Sequence, residues 1–490
     1  MLSSLWWARA GVLLWLASLA PACTKPNESA ASGGASGSAP ATATLAAASG
    51  SAVASGSAAA AGPGVDGAAR VRTADRRVLP WSQQLAMREA WLARRHEMLL
   101  PMMRRHRVSM WVVVNEEFHD DPLTEFVAPP RPYAGNRDVF VFVDAGEAGL
   151  KRFALTGFVE EHLARFFETP AEPGKQKEGL AAIVATHQPR TIALGIGGRR
   201  GVTRSLTRES YRFLVEALGP AAERRFVSAA PLIEEYLDTR LPEEFEPYRG
   251  LVELTDETVR EALSSAVIAP GKTRVGDVRA WLYDRLWALG LRTWFQPDLR
   301  VQRAGAEGGT SRGFLAVARE DMVIERGDLV HIDFGISYLG LHTDWQRMAY
   351  VLREGETEAP AGLTRVLADA NALQDALRQA SRPGRPSAEV YEATMTAMRE
   401  RGITARVYSH PLGNQGHALG AAIDFRSGAR DEAPKPLRLG SYLAMELGAE
   451  GAPPEWGGQK VFAMQEDPVY LTDEGWQFFV PRQEAFYLIK

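Results

Sequence analysis

The stretch LVHIDFGISYLGLHTDWQRMAYVL, residues 329–352, constrains the fold more than any other part of the sequence. Two apolar, β-branched and aromatic runs flank a short turn, a pattern that predicts an antiparallel hairpin. Asp333 and Asp344 are eleven residues apart, so a hairpin with its midpoint between Tyr338 and Leu339 would set the two aspartates directly opposite each other. Opposed carboxylates with Cβ atoms about 5 Å apart would repel. A bound cation removes that objection, while a pair of turn-flanking acids that face solvent stays the alternative.

Three further residues of metal-ligand type follow the hairpin: His417 in GNQGHALG, Glu446 in YLAMELG and Glu466 in MQEDPVYLT. The segments YLAMEL and VFAMQEDPVYL are typical of strands around a turn-rich connection, so Glu446 and Glu466 are predicted to repeat the arrangement of the two aspartates. Carboxylates that share a face in this way can hold two ions roughly 3.5–4 Å apart. Oxygen donors with one imidazole suit Mn²⁺, Co²⁺, Fe²⁺ or Zn²⁺.

These motifs carry a family resemblance. IDFG, TDWQR, GHALG, the MELG segment and QEDPVYLTDEG stand in the order found in the M24 metallopeptidases, which include Xaa-Pro aminopeptidases, prolidases, methionine aminopeptidases and creatinase. The chain resembles that family over roughly residues 240–490, which implies a pita-bread catalytic domain. Residues 80–235 resemble, more weakly, the creatinase-type N-terminal domain of the prolidase branch. The fold class expected is therefore α/β, with an α/β N-terminal domain before the catalytic domain.

The resemblance implies a centre with two divalent metal ions, Mn²⁺ foremost and Co²⁺, Zn²⁺ or Fe²⁺ as alternatives. Its implied ligands are Asp333, Asp344, His417, Glu446 and Glu466. In such a site Asp344 would hold one ion with His417, and Asp333 with Glu466 would span both. A hydroxide bridging the ions would attack the peptide carbonyl. Glu446 is the candidate that carries the proton of that water to the leaving amine.

The sequence departs from the family at three positions. Members of the family have a histidine seven residues after the ligand histidine, and Asp424 stands at that position. A second family histidine lies about seventeen residues before the first aspartate, where the chain has Ala316. Leu447 replaces the usual proline after the first glutamate. A carboxylate cannot supply the donor that an imidazole offers, so the substrate contacts need other residues.

Three other histidines could supply the missing donors. His410, seven residues before His417 on what reads as a Pro/Gly-rich loop, is the favoured catalytic replacement. His342 and His331 each stand two residues before an aspartate, so strand alternation puts them on the ligand face. Both are more typical of packed hydrogen-bonding partners than of donors to substrate. His342 and Asp424 are nevertheless the candidate substrate contacts.

The resulting functional hypothesis is a metallo-aminopeptidase that removes N-terminal residues from peptides, as an Xaa-Pro aminopeptidase or dipeptidase. The proline preference comes from the resemblance alone. One alternative is a metalloenzyme of the same fold re-tasked toward a non-peptide substrate, because two substrate histidines are missing from their places. Another is a non-catalytic, metal-bound peptide-binding module.

The N-terminus is predicted to be an export signal. Residues 1–22 combine one basic residue, Arg9, with a short apolar core and small residues before Cys23, the only cysteine in the chain. The position of Cys23 resembles a bacterial lipoprotein box, which implies a lipid anchor and a cell-envelope protein that faces the periplasm or the surface. An ordinary signal peptide followed by a stray thiol stays the alternative. The following segment, up to residue 74, is rich in Ala, Gly and Ser and is predicted to be a flexible linker.

Two folded domains are predicted after the linker, at residues 75–238 and 239–490. In the first, a helical pattern and the buried-strand runs MWVVVN and DVFVFVDA indicate α/β alternation without a catalytic constellation. We expect this domain to wall off the cleft or to form the contact of a homodimer. The net charge of −4 gives no basic footprint, which argues against nucleic acid as a partner.

Overall fold

The computed structural model describes residues 75, 77–306, 310–311, 314–425 and 435–490. The described residues form one compact unit. The predicted signal, Cys23 and the linker lie outside the described residues. Across the part of the chain that is described, none of the helices is both long and apolar enough to cross a membrane.

The N-terminal part is a sheet with helices on both faces. Its helices are α1 (Trp81–Arg105), α2 (Thr124–Val127), α3 (Gln176–His187), α4 (Arg208–Leu218), α5 (Pro220–Glu223) and α6 (Ala230–Asp238). Its strands are β1 (Met110–Glu116), β2 (Arg137–Asp144), β3 (Leu150–Leu155), β4 (Ile192–Leu194) and β5 (Phe226–Ser228), in the order β3-β2-β1-β4-β5. Trp111 packs with α1 and α6, whereas Val112 packs with α3 and α4. Because both faces are covered, the strands read as continuous apolar runs.

The C-terminal part repeats one plan, in which two helices are followed by antiparallel strands. Its helices are α7 (Phe245–Ala262), α8 (Val275–Leu289), α9 (Ala361–Ala380) and α10 (Ser387–Glu400). Its first strands are β6 (Arg292–Thr293), β7 (Asp298–Gln302), β8 (Thr310–Ser311), β9 (Phe314–Leu315), β10 (Leu329–Phe334), β11 (Ile336–Tyr338), β12 (Leu341–His342) and β13 (Trp345–Val351). The remaining strands are β14 (Thr404–Leu412), β15 (Ile423–Asp424), β16 (Tyr442–Ala444), β17 (Leu447–Gly451), β18 (Val461–Gln465), β19 (Pro468–Thr472), β20 (Gly475–Phe478) and β21 (Tyr487–Ile489).

Two sheets carry the residues of interest. One has the order β21-β13-β10-β7, and the other has the order β18-β17-β14-β16-β19-β20, with β15 paired to β14. α7 and α8 pack against the first sheet around Ile332, and α9 and α10 pack against the second around Leu443. An isolated bridge between Gln346 and Glu466 joins the sheets. The candidate site lies at this junction.

The predicted helices on either side of APGKT are present as α7 and α8, and the predicted hairpin runs from β10 to β13. The predicted domain boundary after residue 238 coincides with the end of α6. Since the described residues form one compact unit, the division into two domains stays a prediction.

Candidate metal centre

The hairpin holds Asp333 and Asp344 in a register different from the one predicted. Asp333 pairs with Gln346 across β10 and β13, so the expectation that the two aspartates stand directly opposite each other is wrong. The turn contains two residues, Leu339 and Gly340, with φ of 57° and 71°. Positive φ at both central residues is the conformation that closes a two-residue hairpin. This turn moves the midpoint of the hairpin one residue toward the C-terminus. Asp344 therefore lies diagonally across the two strands from Asp333 and not opposite it.

Gly335 allows the two strands to approach closely beside Asp344. A Cβ at Gly335 would collide with the backbone oxygen of Thr343 and with the indole nitrogen of Trp294. Only glycine therefore fits at this position of the IDFG motif without a steric clash. It lets the chain cross from β10 into β11 without pushing away the segment that carries Asp344.

Glu446 and Glu466 reach the site from the second sheet. The last paired residues of β17 and β18 are Leu447 and Gln465. One step further in that register brings Glu446 opposite Glu466, the arrangement that the two strand-like segments predicted. Backbone bonds between Gln346 and Glu466, with N···O distances of 3.2 Å and 3.4 Å, fix this end of β18 against β13.

The predicted ligands converge with one additional histidine. Potential ligand atoms lie within 4.8 Å of one another in each of three overlapping groups: Asp333, Asp344 and Glu466; His410, Glu446 and Glu466; and Asp344, His410 and His417. All five predicted metal ligands therefore occur in the cluster. Their roles as ligands stay predictions.

His410 lies nearer the centre of this cluster than His417. The Nε2 atom of His410 is 3.3 Å from Glu466 Oε1, 3.5 Å from Asp344 Oδ2 and 3.7 Å from Glu446 Oε2. His410 is buried, whereas His417 is exposed, and their ring centroids are 4.5 Å apart. His410 also belongs to strand β14, so the prediction that it lies on a loop is wrong.

The cluster carries more buried negative charge than the described side chains around it neutralise. Burial is the main cause that raises the pKa of Glu466 to about 8. It also raises the pKa of Asp333, Asp344 and Glu446 well above their ordinary range, and repulsion from Glu466 adds to each shift.

Three buried carboxylate oxygens of the cluster have no hydrogen-bond donor among the described residues. They are Asp333 Oδ1, Asp344 Oδ1 and Glu466 Oε1. Buried charges are normally paired or coordinate a metal. The donor set, carboxylate oxygens with imidazole nitrogen, therefore fits divalent transition ions.

Gln346 is a residue of the site that the sequence analysis missed. Its amide nitrogen is 3.0 Å from Glu466 Oε2 and 3.4 Å from Asp333 Oδ2. Its amide oxygen lies 2.9 Å from Nε2 of His331, whose pKa burial lowers to about 3. The neutral imidazole therefore donates a hydrogen bond to the amide oxygen of Gln346. This is the role of a packed hydrogen-bonding partner that the sequence favoured for His331. Gln346 stands two residues after Asp344, so strand alternation could have placed its side chain on the ligand face.

The two candidate substrate contacts lie at the edges of the site. His342 donates its backbone N–H to Gly413, and its ring centroid lies 6.1 Å from that of Trp294. Burial lowers the pKa of His342 to about 4. Asp424 is buried on β15 and pairs with Tyr408 of β14. Neither residue belongs to the three ligand-type groups found among the described residues.

A cavity adjoins Glu446. Leu315 lines one wall, next to Ala316 where the family histidine was expected, and Gln346 lies close to the carboxylates. Arg406 and Tyr408 of β14 also line the cavity. The cavity therefore lies directly beside the carboxylate cluster.

Comparisons with known proteins agree with this geometry. Residues 246–473 match metallopeptidase family M24. No curated protein matches the sequence of the chain. Solved structures with a similar fold include X-Pro aminopeptidase from Thermotoga maritima, with a TM-score of 0.60 and 18% identity over 79% of this chain and 99% of that one.

Two further solved structures extend the comparison. Xaa-Pro dipeptidase from Bacillus anthracis has a TM-score of 0.60 and 17% identity, over 81% of this chain and 99% of that one. Dipeptidase PepE from Mycobacterium ulcerans has a TM-score of 0.58 and 16% identity, over 81% and 98%. At these identities the likeness concerns the fold. The predicted fold class is confirmed.

Proposed function

The chain belongs to metallopeptidase family M24 through residues 246–473, and we propose that it is a dinuclear-metal peptidase that releases the N-terminal residue of Xaa-Pro substrates. The observation that carries this proposal is the convergence of four carboxylates, two of them buried and two half-buried, with His410 beside a cavity. The names of the structural neighbours, X-Pro aminopeptidase and Xaa-Pro dipeptidase, support the substrate class.

We assign the metal ligands as Asp333, Asp344, His410, Glu446 and Glu466. This assignment exchanges the roles predicted for the two histidines. His417 then stands seven residues after the ligand histidine, the spacing at which the family carries its substrate histidine. In this assignment, only the family histidine that Ala316 replaces is absent from its place. Because His417 takes the place of the other family histidine, Asp424 is not needed as a substitute.

Two divalent ions held by these residues would lower the pKa of a bound water and polarise the scissile carbonyl. Glu446 reaches both the carboxylate cluster and the cavity. Its carboxylate would accept a proton from that water and deliver it to the leaving nitrogen. His417, exposed next to His410, would donate a hydrogen bond to the substrate. Gln346 would hold Asp333 and Glu466 in place.

The test uses purified protein loaded with Mn²⁺, Xaa-Pro dipeptides and longer Xaa-Pro peptides, with bound metal counted by elemental analysis. We expect two ions per chain and release of the N-terminal residue. Asp344→Asn should lose both metal and activity, while the matched control Asp321→Asn, at an exposed aspartate, should keep both. Two bound ions without hydrolysis of any peptide would refute the peptidase and favour the re-tasked enzyme, to which the loss of a histidine at Ala316 points.

We also propose that the protein is exported and anchored in a membrane through a lipid on Cys23. The leader pattern before Cys23 supports this proposal. Globomycin, which blocks lipoprotein signal cleavage, should cause a larger precursor to accumulate, and Cys23→Ser should prevent lipid labelling. Unchanged processing with globomycin would contradict the anchor.

A further inference from the structure

Trp294 lies between the hairpin that carries Asp344 and the loop that carries His417. It directly follows β6, which pairs with β11 in that hairpin. The Nε1 atom of its indole donates a hydrogen bond to the backbone oxygen of Thr343, with 2.8 Å between the two atoms. The N–H of a packed tryptophan normally finds such an acceptor. The bond therefore fixes the indole one residue before an assigned metal ligand.

Gly416 gives the indole its place against the loop. A Cβ at Gly416 would lie 2.0 Å from Cζ2 of Trp294, and the next two atoms that it would meet belong to the same ring, both at 2.2 Å. Packed carbon atoms stay about 3.5–4.0 Å apart. The φ angle of Gly416 is not positive, so the backbone conformation does not itself require glycine. The requirement comes from the indole, which packs on the backbone immediately before His417.

Aromatic contacts hold the ring of His417. Its centroid lies 5.5 Å from that of Trp294, with an angle of 80° between the two planes, and 6.4 Å from that of Tyr408, with an angle of 84°. Edge-on planes with centroids about 4.5–7 Å apart are a favoured geometry for aromatic pairs. The residue is otherwise exposed. Packing against these rings therefore restricts the orientation of an imidazole at the surface of the site.

One indole thus connects two parts of the candidate site. Potential ligand atoms of Asp344 and His417 lie within 4.8 Å of each other. The indole N–H of Trp294 holds the segment of the aspartate, and the indole ring holds the segment of the histidine. A displacement of about 1 Å at a reacting group can cost about 100-fold in rate. The distance between an ion on Asp344 and the imidazole of His417 depends on this side chain.

We propose that Trp294 is a positioning residue that holds the imidazole of His417 toward a substrate at the metal centre. The inference rests on the proposed function, in which His417 donates a hydrogen bond to the substrate. Trp294 acts through this histidine and does not touch the reacting atoms. Because it orients a donor that acts in the transition state, its effect falls on kcat and not on KM.

The first test measures hydrolysis of Ala-Pro by the Mn²⁺-loaded, full-length protein. Trp294→Ala should lower kcat about 10- to 100-fold, change KM by less than about threefold, and keep both ions. Its loss should not exceed that of His417→Ala, because the indole acts through the imidazole. Trp294→Phe, which keeps an aromatic ring but loses the N–H, should recover part of the activity. The control is Trp287→Ala, at a tryptophan that is 81% exposed, and it should leave kcat unchanged.

Two double variants show whether the indole acts through the loop. In the His417→Ala background, Trp294→Ala should lower kcat by less than about threefold more, because residues that act as a unit are not additive. Gly416→Ala alone should lower kcat about 10-fold, since its methyl group collides with the indole. In the Trp294→Ala background the same change should have almost no effect. Gly201→Ala is the matched control, because a Cβ there would meet no atom within 4 Å.

The outcomes separate this inference from the proposed function. A full additional loss from Trp294→Ala in the His417→Ala background, or loss of an ion in Trp294→Ala, would overturn the positioning role while the peptidase stands. If Trp294→Ala does not fold, Trp294→Phe and Gly416→Ala decide, and an unchanged kcat in both would overturn the role.

If the wild-type protein cleaves no peptide, the peptidase fails, and crystal structures of the Mn²⁺-loaded protein decide about Trp294. A single orientation of the His417 imidazole in the wild type and several orientations in Trp294→Ala would support the inference. An imidazole in the same place in both would overturn it.

Discussion

The side-chain amide of Gln346 donates a hydrogen bond to Glu466 across the junction of two sheets, with 3.0 Å between Nε2 and Oε2. Because Gln346 pairs with Asp333 in the hairpin, one amide joins a carboxylate from each sheet. The oxygen of that amide is engaged by His331 at 2.9 Å. This series of hydrogen bonds fixes the orientation of the Gln346 amide, and it orients two predicted ligands before any ion binds.

Replacing Gln346 by Ala should weaken metal binding. Loss of an outer hydrogen-bonding partner typically costs about 10- to 100-fold in metal affinity, and we expect that range for Mn²⁺ measured by titration calorimetry. Gln379→Ala, at an exposed glutamine on α9, is the matched control and should keep the wild-type affinity. An unchanged affinity in Gln346→Ala would show that the ligands orient themselves without the amide.

The stability of the metal-free protein should fall as pH rises. The pKa of Glu466 is raised from its ordinary value of 4.5 to about 8, and those of Asp333, Asp344 and Glu446 are raised as well. The folded state therefore binds more protons than the unfolded chain, and raising the pH removes stability. The loss begins at about pH 4, where the carboxyl groups of the unfolded chain ionise, and is complete only above about pH 8.

Thermal unfolding with EDTA and with Mn²⁺ would measure this effect. The gain in Tm on adding Mn²⁺ should be larger at about pH 8 than at about pH 5, because the ions replace protons on the same carboxylates. Glu466→Gln should flatten the pH dependence of the metal-free protein. A metal-free Tm that rises over this range would contradict the prediction.

His410→Ala and His417→Ala should separate the two histidine roles. We expect His410→Ala to lose at least one ion and to lower kcat/KM by at least about 100-fold, the upper end for changes outside the ligand shell. His417→Ala should keep both ions and lower kcat by about 100-fold through loss of a donor to the reacting group. Metal counting beside steady-state kinetics checks both. The reverse pattern would restore His417 as the ligand.

The sequence predicted this site well where local patterning decides the structure. The alternation around Asp333 and Asp344 indicated a hairpin, and the apolar runs of β1 and β2 indicated covered strands. The predicted pairing register was wrong by two residues because the turn geometry depends on backbone angles at Leu339 and Gly340. Nothing in the periodicity distinguishes the two registers, since hairpins close with more than one loop length.

The choice between His410 and His417 depends on contacts between distant parts of the chain. His410 is held on β14 by pairing with Ala444, two residues before Glu446. The ring of His417 instead packs edge-on against Trp294, with centroids 5.5 Å apart. Both histidines look equivalent in SHPLGNQGH, and only the pairing of β14 with β16 shows which one lies nearer the centre of the cluster.

A buried ion pair behind the site gives the last prediction. Arg347 and Asp467, each next to a site residue in sequence, are 0% and 1% exposed and 2.6 Å apart. Arg347 also donates to the backbone oxygen of Glu466 at 3.0 Å, and Gln374 donates to Asp467 at 2.7 Å. The pair therefore holds the strand end that presents Glu466.

Asp467→Ala should destabilise the protein by about 3–5 kcal/mol, because it removes the nearest counter-charge of the buried guanidinium of Arg347. Chemical denaturation followed by tryptophan fluorescence would measure the change. The double variant Arg347→Met with Asp467→Leu should recover much of that stability, since apolar residues of similar size can replace a buried pair. Asp321→Ala, which breaks an exposed pair with Arg319, should leave unfolding unchanged. If Asp467→Ala unfolds like wild type but binds Mn²⁺ more weakly, the pair acts only on the position of Glu466.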